Sequence, residues 1–424
     1  MTPARTGLDC ALRDGLRLPG QCRVAVLCNA TTVSSAWIPT AEALARIPGL
    51  RLVRIFSPQH GFSAEKQDNM IASPDAVHPR LGVPITSLYG DRREPDEGDF
   101  SGIDALIIDL PDVGTRVYTF LVSAVRAMRV ALARGVEVIV LDRPNPIGGT
   151  MDGPILEDAF HSFVGNLDIP LRHGLTLGEG CLYGALRDGW TAASRLSAAR
   201  AGAASGVIDL DGLRIVTAEG WRRLFTLDET GLSWTMPSPN MPALETAFVY
   251  PGQVLLEGTN LSEGRGTTRP FELFGAPYLE PRALIDHLRR AALLEPAGAA
   301  AGRTGGPLAG ALLRPITYEP TFNRYTGEIV RGFQLHVLDR AMFAPVRVTV
   351  TILDAVVRTH TAFAWREPPY EYEWTRPPID LICGTAQVRQ ALDAGMNVAE
   401  LIDGWQAGIA AFRERVRPVL LYDD

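Results

Sequence analysis

The first half of the chain alternates continuous apolar runs with helical patterns. Arg23-Val24-Ala25-Val26-Leu27-Cys28 reads as a buried strand that stops at the polar turn Asn29-Ala30-Thr31-Thr32. A helical stretch from Thr40 to Ile47 leads to a second strand, Leu52 to Phe56, which ends at Ser57-Pro58-Gln59-His60-Gly61. Ile103 to Leu110 is a third run, closed by Pro111-Asp112-Val113-Gly114-Thr115-Arg116. A helix from about Val117 to Ala133 precedes the fourth, Val136 to Leu141, which meets Asp142-Arg143-Pro144-Asn145-Pro146. Val/Ile/Leu runs without alternation, separated by helices, predict a parallel sheet covered on both faces. Ligands of such sheets bind beyond the carboxyl ends of the strands, and here all four ends carry polar turns rich in Gly, Pro or Asn.

The second half is less regular. Trp221 to Pro277 shows little simple periodicity and much Pro, Asn, Gly and Thr, which predicts long binding loops. Glu295 to Gly310 is dominated by Ala and Gly and predicts a flexible insertion near a domain boundary. Gly332 to Val337 reads as a strand, and Val346 to Leu353 as the start of a helix. Both belong to a smaller α+β unit. The fold class expected is therefore α/β, a Rossmann-like parallel-sheet domain over residues 1–275 followed by a smaller α+β C-terminal domain over 276–424.

Composition narrows the classes. A length of 424 residues suits two cores rather than one. A net charge of −7 argues against a nucleic-acid partner, which needs clustered excess Lys and Arg. Lys66 is the single lysine, so arginine supplies nearly all positive charge. Five cysteines, odd in number and without a CxxC pair, argue against a disulfide framework or zinc ribbon. The N-terminus lacks a basic start followed by an apolar run, and no stretch is apolar over the ~18 residues of a membrane span. The expectation is a cytoplasmic protein with no membrane partner.

The polar turns hold the candidate chemistry. The turn after the first strand lacks the glycines that pyrophosphate binding requires, so no nucleotide cofactor is expected. The second turn continues from Gln59 through His60, Glu65, Asp68 and Asn69, and reads either as a functional loop or as an ordinary surface loop. His60 with Asp68 or Asp109 could hold a metal, but no ligand spacing supports this, and no metal is expected. Tyr118 could present its phenol to a cleft as a hydrogen-bond partner or proton donor, or pack under the next loop. Glu257 to Phe271 is the densest polar stretch, with Glu257, Asn260, Glu263, Arg265 and Arg269 among glycines and hydroxyls. Paired carboxylates there can divide acid and base or nucleophile work in glycoside hydrolysis, and the arginines can grip a carboxylate. The alternative is a salt-bridge network bracing two domains.

Several phrases taken together resemble the exo-β-N-acetylmuramidase family of the NamZ type, once a family of unknown function. They are Phe56-Ser-Pro-Gln-His-Gly61, Ser87-Leu-Tyr-Gly90, Asp112-Val-Gly-Thr-Arg-Val-Tyr-Thr119 and Leu141-Asp-Arg-Pro-Asn-Pro146. Arg172-His-Gly-Leu-Thr176, Pro237-Ser-Pro-Asn240, Glu257-Gly-Thr-Asn260, Glu263-Gly-Arg-Gly-Thr-Thr-Arg-Pro-Phe271 and Pro320-Thr-Phe322 follow in order. The resemblance implies a Rossmann-like domain joined to a smaller one with the cleft between them, removal of N-acetylmuramic acid from the non-reducing end of peptidoglycan fragments, and no organic cofactor. The family's catalytic glutamate lies in a Pro-Glu-His-Gly phrase, where this chain has Gln59; its tyrosine maps to Tyr118. An amide can be neither proton donor to a leaving oxygen nor carboxylate nucleophile. Glu65, Asp68 and Glu263 are therefore the candidate replacements. His60, Asn145, Arg172 and His173 are expected to line the pocket, with Asn69, Glu257 and Asn260 beside them. Arg116, Arg265 or Arg269 would meet the lactyl carboxylate of the sugar. A catalytically silent sugar-binding protein, or a different chemistry on an acidic sugar assisted by a metal at His60 and Asp68, are the alternatives.

Overall fold

The computed structural model describes residues 3–16, 18–202, 206–291, 293 and 306–424. In chain order the strands are β1 (Cys22–Leu27), β2 (Leu50–Ser57), β3 (Ala76–Val77), β4 (Pro84–Ser87), β5 (Ala105–Ile108), β6 (Glu137–Leu141), β7 (Asp152–Ile155) and β8 (Pro170–Arg172). They continue with β9 (Val207–Leu210), β10 (Leu213–Val216), β11 (Leu273–Ala276), β12 (Ala311–Tyr318) and β13 (Val330–Val337).

The main sheet has the order β3-β4-β2-β1-β5-β6-β10-β9. Its six inner strands run parallel, and short antiparallel strands β3 and β9 close the two edges. Leu27 on β1 registers with Phe56 on β2 and Ile108 on β5. The strands carry no polar side because each face buries a different core. Ala25, Leu27, Leu106 and Ile108 face one core, while Val24, Val26, Ala105 and Ile107 face the other. Two-faced burial removes the alternation a half-exposed strand would show, and this is why the runs read as continuous. The helices Gly7–Asp14, Phe120–Ala133 and Leu177–Arg187 cover the sheet.

The second sheet is antiparallel, in the order β11-β13-β12. The expected strand at 332–337 is β13, and the expected helix start at Val346 belongs to the helix Pro345–Thr359. β11, at residues 273–276, pairs with β13 and so lies in this second sheet.

Trp221 to Pro277 is not only loop. It contains the helix Leu244–Gln253 and a 3-10 turn at Val254–Gly258. Thr246 to Gln253 is buried throughout, so the helix has no polar face to generate an amphipathic period. Most of the expected insertion at 295–310 lies outside the described residues. The five cysteines are free and buried. Among the described residues no helix is long and apolar enough to cross a membrane.

Candidate active site

The turn after β2 reverses through left-handed backbone at His60 (φ 74°) and Gly61 (φ 83°), leaving Gln59 and His60 buried at the carboxyl edge of the sheet. Beyond β5, Tyr118 and Thr119 precede the helix Phe120–Ala133. The 3-10 turn Val254–Gly258 brings Glu257, and a following loop brings Arg265 and Phe271. At Gly264 (φ 78°) a side chain would press on the Leu273 carbonyl at 2.6 Å, so this loop can fold back only on glycine. Tyr370 and Glu371 come from a tight reversal in which Tyr370 bridges Glu373. These groups line one pocket.

Two carboxylates of the pocket have different surroundings. Glu257 accepts from Arg265 at 2.8 Å, from Asn69 Nδ2 at 2.8 Å and from the Tyr370 hydroxyl at 2.9 Å. Burial pushes its carboxyl upward, and the Arg265 guanidinium opposes that push. Arg265 is also 3.1 Å from Glu263; burial disfavours its charge, but Glu257 and Glu263 outweigh this and hold it firmly protonated. Glu371 accepts only from uncharged donors, Gln59 Nε2 at 3.2 Å and the Tyr89 hydroxyl at 2.7 Å. Burial raises it to about 7, assisted by the Glu257 charge and opposed by its two hydrogen bonds and by Arg265.

The remaining groups are neutral donors, acceptors and rings. His60 donates from Nδ1 to the Lys66 carbonyl at 2.7 Å. Burial lowers its pKa to about 4, so at neutral pH the ring is uncharged and Nε2 is an acceptor. Burial keeps the Tyr118 phenol protonated well above its usual range, and its hydroxyl has no well-formed bond among the described residues. The Arg265 Nε is likewise buried and unpaired. Tyr118, Tyr250 and Phe271 form an edge-to-face series, with centroids 5.9 and 4.8 Å apart, that gives the pocket an apolar wall.

Of the residues expected from the sequence, Gln59, His60, Asn69, Tyr118, Glu257 and Arg265 line this pocket. The others lie elsewhere. Glu65 is on the surface, its side chain 50% exposed, and Asp68 caps the Asn69 amide. Glu263 lies behind Arg265, as an ion-pair partner rather than a lining residue. Arg116 is fully buried and donates to the carbonyls of Pro154, Ile169 and Ile382, which leaves its Nη atoms committed to backbone. Arg172 binds the Ile147 carbonyl, and Asn145 accepts from the Ile147 amide in its own turn and donates to the Leu175 carbonyl. His173 is sealed beside Asp112 at 3.2 Å. Asn260 ties Ala362, Ala364 and Tyr278 together, and Arg269 is half exposed on Glu272. No three His, Cys, Asp or Glu side chains group as a metal site among the described residues, so the arrangement of His60 and Asp68 does not supply one. Glu371, Tyr370 and Tyr250 were missed; the only local signal was the Tyr-Glu-Tyr-Glu run after Pro368-Pro369.

The family comparison covers nearly the whole chain. A model described as exo-beta-N-acetylmuramidase NamZ, N-terminal, matches residues 24–245, and its C-terminal counterpart matches residues 248–422. The chain belongs to the NamZ exo-β-N-acetylmuramidase family. It is 32% identical over 421 residues to the peptidoglycan beta-N-acetylmuramidase NamZ of Bacillus subtilis (strain 168), covering 99% of this chain and 91% of that relative. Two solved DUF1343 family proteins from Bacteroides fragilis NCTC 9343 share the fold over 100% of both chains, with TM-scores of 0.81 and 0.73 at 26% and 25% identity. Within this NamZ framework the pocket draws on both matched segments, Gln59 to Met241 from the first and Tyr250 to Glu371 from the second.

Proposed function

We propose that this chain is a glycosidase that removes N-acetylmuramic acid from the non-reducing end of peptidoglycan fragments. The observation that carries the reading is a single pocket combining two buried carboxylates, Glu257 and Glu371, with the Tyr118 hydroxyl beside Ser238 and the buried Arg265 Nε, which has no partner among the described residues. Buried donors left without partners favour a ligand that supplies acceptors. A sugar offers hydroxyls, and a lactyl group offers a carboxylate for the free N–H of Arg265. The Tyr118–Tyr250–Phe271 wall suits the apolar C–H face of a pyranose. A carboxyl group beside Gln59 favours an enzyme over a silent binder.

The same proposal keeps two domains and a cytoplasmic saccharide hydrolase with no nucleic-acid partner. The division was expected after residue 275, but the place of β11 in the second sheet favours an earlier one, near the break between matched segments at 245–248. The test is incubation with peptidoglycan fragments ending in N-acetylmuramic acid or in N-acetylglucosamine, followed by mass spectrometry. The expected result is free N-acetylmuramic acid from the first set alone. Binding of the first set without release would favour the silent reading, and release from chain interiors would end the exo-acting one.

A further inference from the structure

Gln59 is held at both ends of its amide. Its Oε1 accepts from Thr119 Oγ1 at 2.6 Å, which leaves the NH₂ end to meet Glu371 Oε1 at 3.2 Å. The amide that stands where the family resemblance calls for a carboxyl is thus bonded directly to another carboxyl, brought from 312 residues away. We propose that Glu371 is the proton donor for glycosidic cleavage, positioned by Gln59 and Tyr89. The inference rests on the glycosidase reading above.

Geometry eliminates the alternatives. The Glu65 side chain is on the surface, Asp68 caps the Asn69 amide outside the pocket lining, and Glu263 pairs with Arg265 without lining the pocket. Glu257 differs in being paired with a guanidinium, which opposes the upward push of burial on its carboxyl. Glu371 is buried in the pocket wall with no cation bonded to it among the described residues, and burial raises it to about 7, so it can hold a proton near neutrality. Tyr89, Gln59, Glu257 and Arg265 are the groups that bear on its titration. Glu371 (φ 46°) and the next residue Tyr372 (φ 67°) both hold left-handed backbone, a conformation that costs energy in residues with side chains and is concentrated at functional sites.

The step balances without a further reagent. The Glu371 carboxyl passes its proton to the glycosidic oxygen as the bond from that oxygen to C1 breaks and the bonding pair leaves with the oxygen. A water adds its hydroxyl to C1 and releases its remaining proton to solvent, from which the Glu371 carboxylate takes up a proton again. The net change is addition of one water across the glycosidic bond.

A general acid is diagnosed by its leaving group. The full-length protein and its Glu371→Gln and Glu371→Asp variants are assayed on a muramyl disaccharide, whose leaving alcohol needs a proton, and on a dinitrophenyl muramide, whose phenolate does not. Glu371→Gln is expected to lose about 10²–10⁴-fold in kcat on the disaccharide. It should retain most activity on the dinitrophenyl glycoside and lose the basic limb of the pH profile. Glu371→Asp should fall between the two on the disaccharide. Equal losses on both glycosides, or full disaccharide activity in Glu371→Gln, would overturn the assignment while leaving the glycosidase reading in place. A wild type that cleaves neither glycoside would overturn both.

Discussion

Arg265 Nη1 lies 2.8 Å from a Glu257 oxygen and 3.1 Å from a Glu263 oxygen, so one buried guanidinium is shared by two buried carboxylates. The cluster has more negative than positive charge, and Arg265 is the cation within it. Removing one partner from a buried ion pair leaves the other charge without compensation and costs ~3–5 kcal/mol. Arg265→Ala should therefore be destabilised by about that amount at pH 7, measured by denaturant melts. The deficit should shrink as pH falls, because protonation of Glu257, whose carboxyl burial pushes upward, relieves the uncompensated charge. A variant whose deficit is independent of pH would contradict this account.

Gly258 follows Glu257 directly, and a Cβ there would meet the backbone of Ile379 at 2.7 Å. The helix Pro378–Cys383 therefore rests on the turn that carries Glu257. Gly258→Ala should lower stability by ~1–3 kcal/mol through overpacking. It should also reduce activity by displacing Glu257. A thermal shift near zero with unchanged kcat would show that the helix yields without disturbing the turn.

How much of this was readable depends on how local each signal is. Four of the six inner strands, β1, β2, β5 and β6, were legible because two-faced burial writes itself as uninterrupted Val, Ile and Leu. The helix Leu244–Gln253 was not, because burial all round erases the same period that marks a surface helix. Gln59, His60, Tyr118 and Arg265 were found since each sits in a recognisable polar turn beside a strand end or a glycine. Glu371 was invisible because it is brought to the pocket by contacts with Gln59 and Tyr89, which no spacing records. Arg116 was misread for the converse reason: its acceptors are backbone carbonyls, which any sequence possesses.

Gln59→Glu should act on the pH profile rather than on the maximal rate. A carboxylate in place of the amide would stand at hydrogen-bond distance from Glu371, where two like charges disfavour full ionisation. The pair would share one proton and lose it only at higher pH than Glu371 alone. The basic limb of kcat/KM, expected near pH 7 in the wild type, should move to higher pH in the variant. A profile unchanged by the substitution would place the acid away from residue 59. A large rise in rate at all pH values would restore the carboxyl at 59 as the proton donor.

The last prediction needs no substrate. The Glu371 carboxyl is raised to about 7 in the folded protein from an ordinary value of 4.5, chiefly by burial. Between those two values the folded state holds the proton and the unfolded state has released it. Stability therefore falls as pH rises through this window and is level again above it, since protons bound in excess by the folded state make the slope negative. One pKa unit corresponds to ~1.4 kcal/mol, so the whole change is on the order of 3 kcal/mol. The amide introduced by Glu371→Gln does not titrate, so that variant lacks this loss. Its stability relative to wild type should climb between pH 4.5 and 7 and stay constant above, whatever fixed offset the new amide introduces. Urea midpoints for both proteins at half-unit pH steps would trace the difference. Parallel curves from pH 4.5 to 8 would mean that Glu371 ionises in the fold as it does in water, and the physical basis for its acid role would be gone.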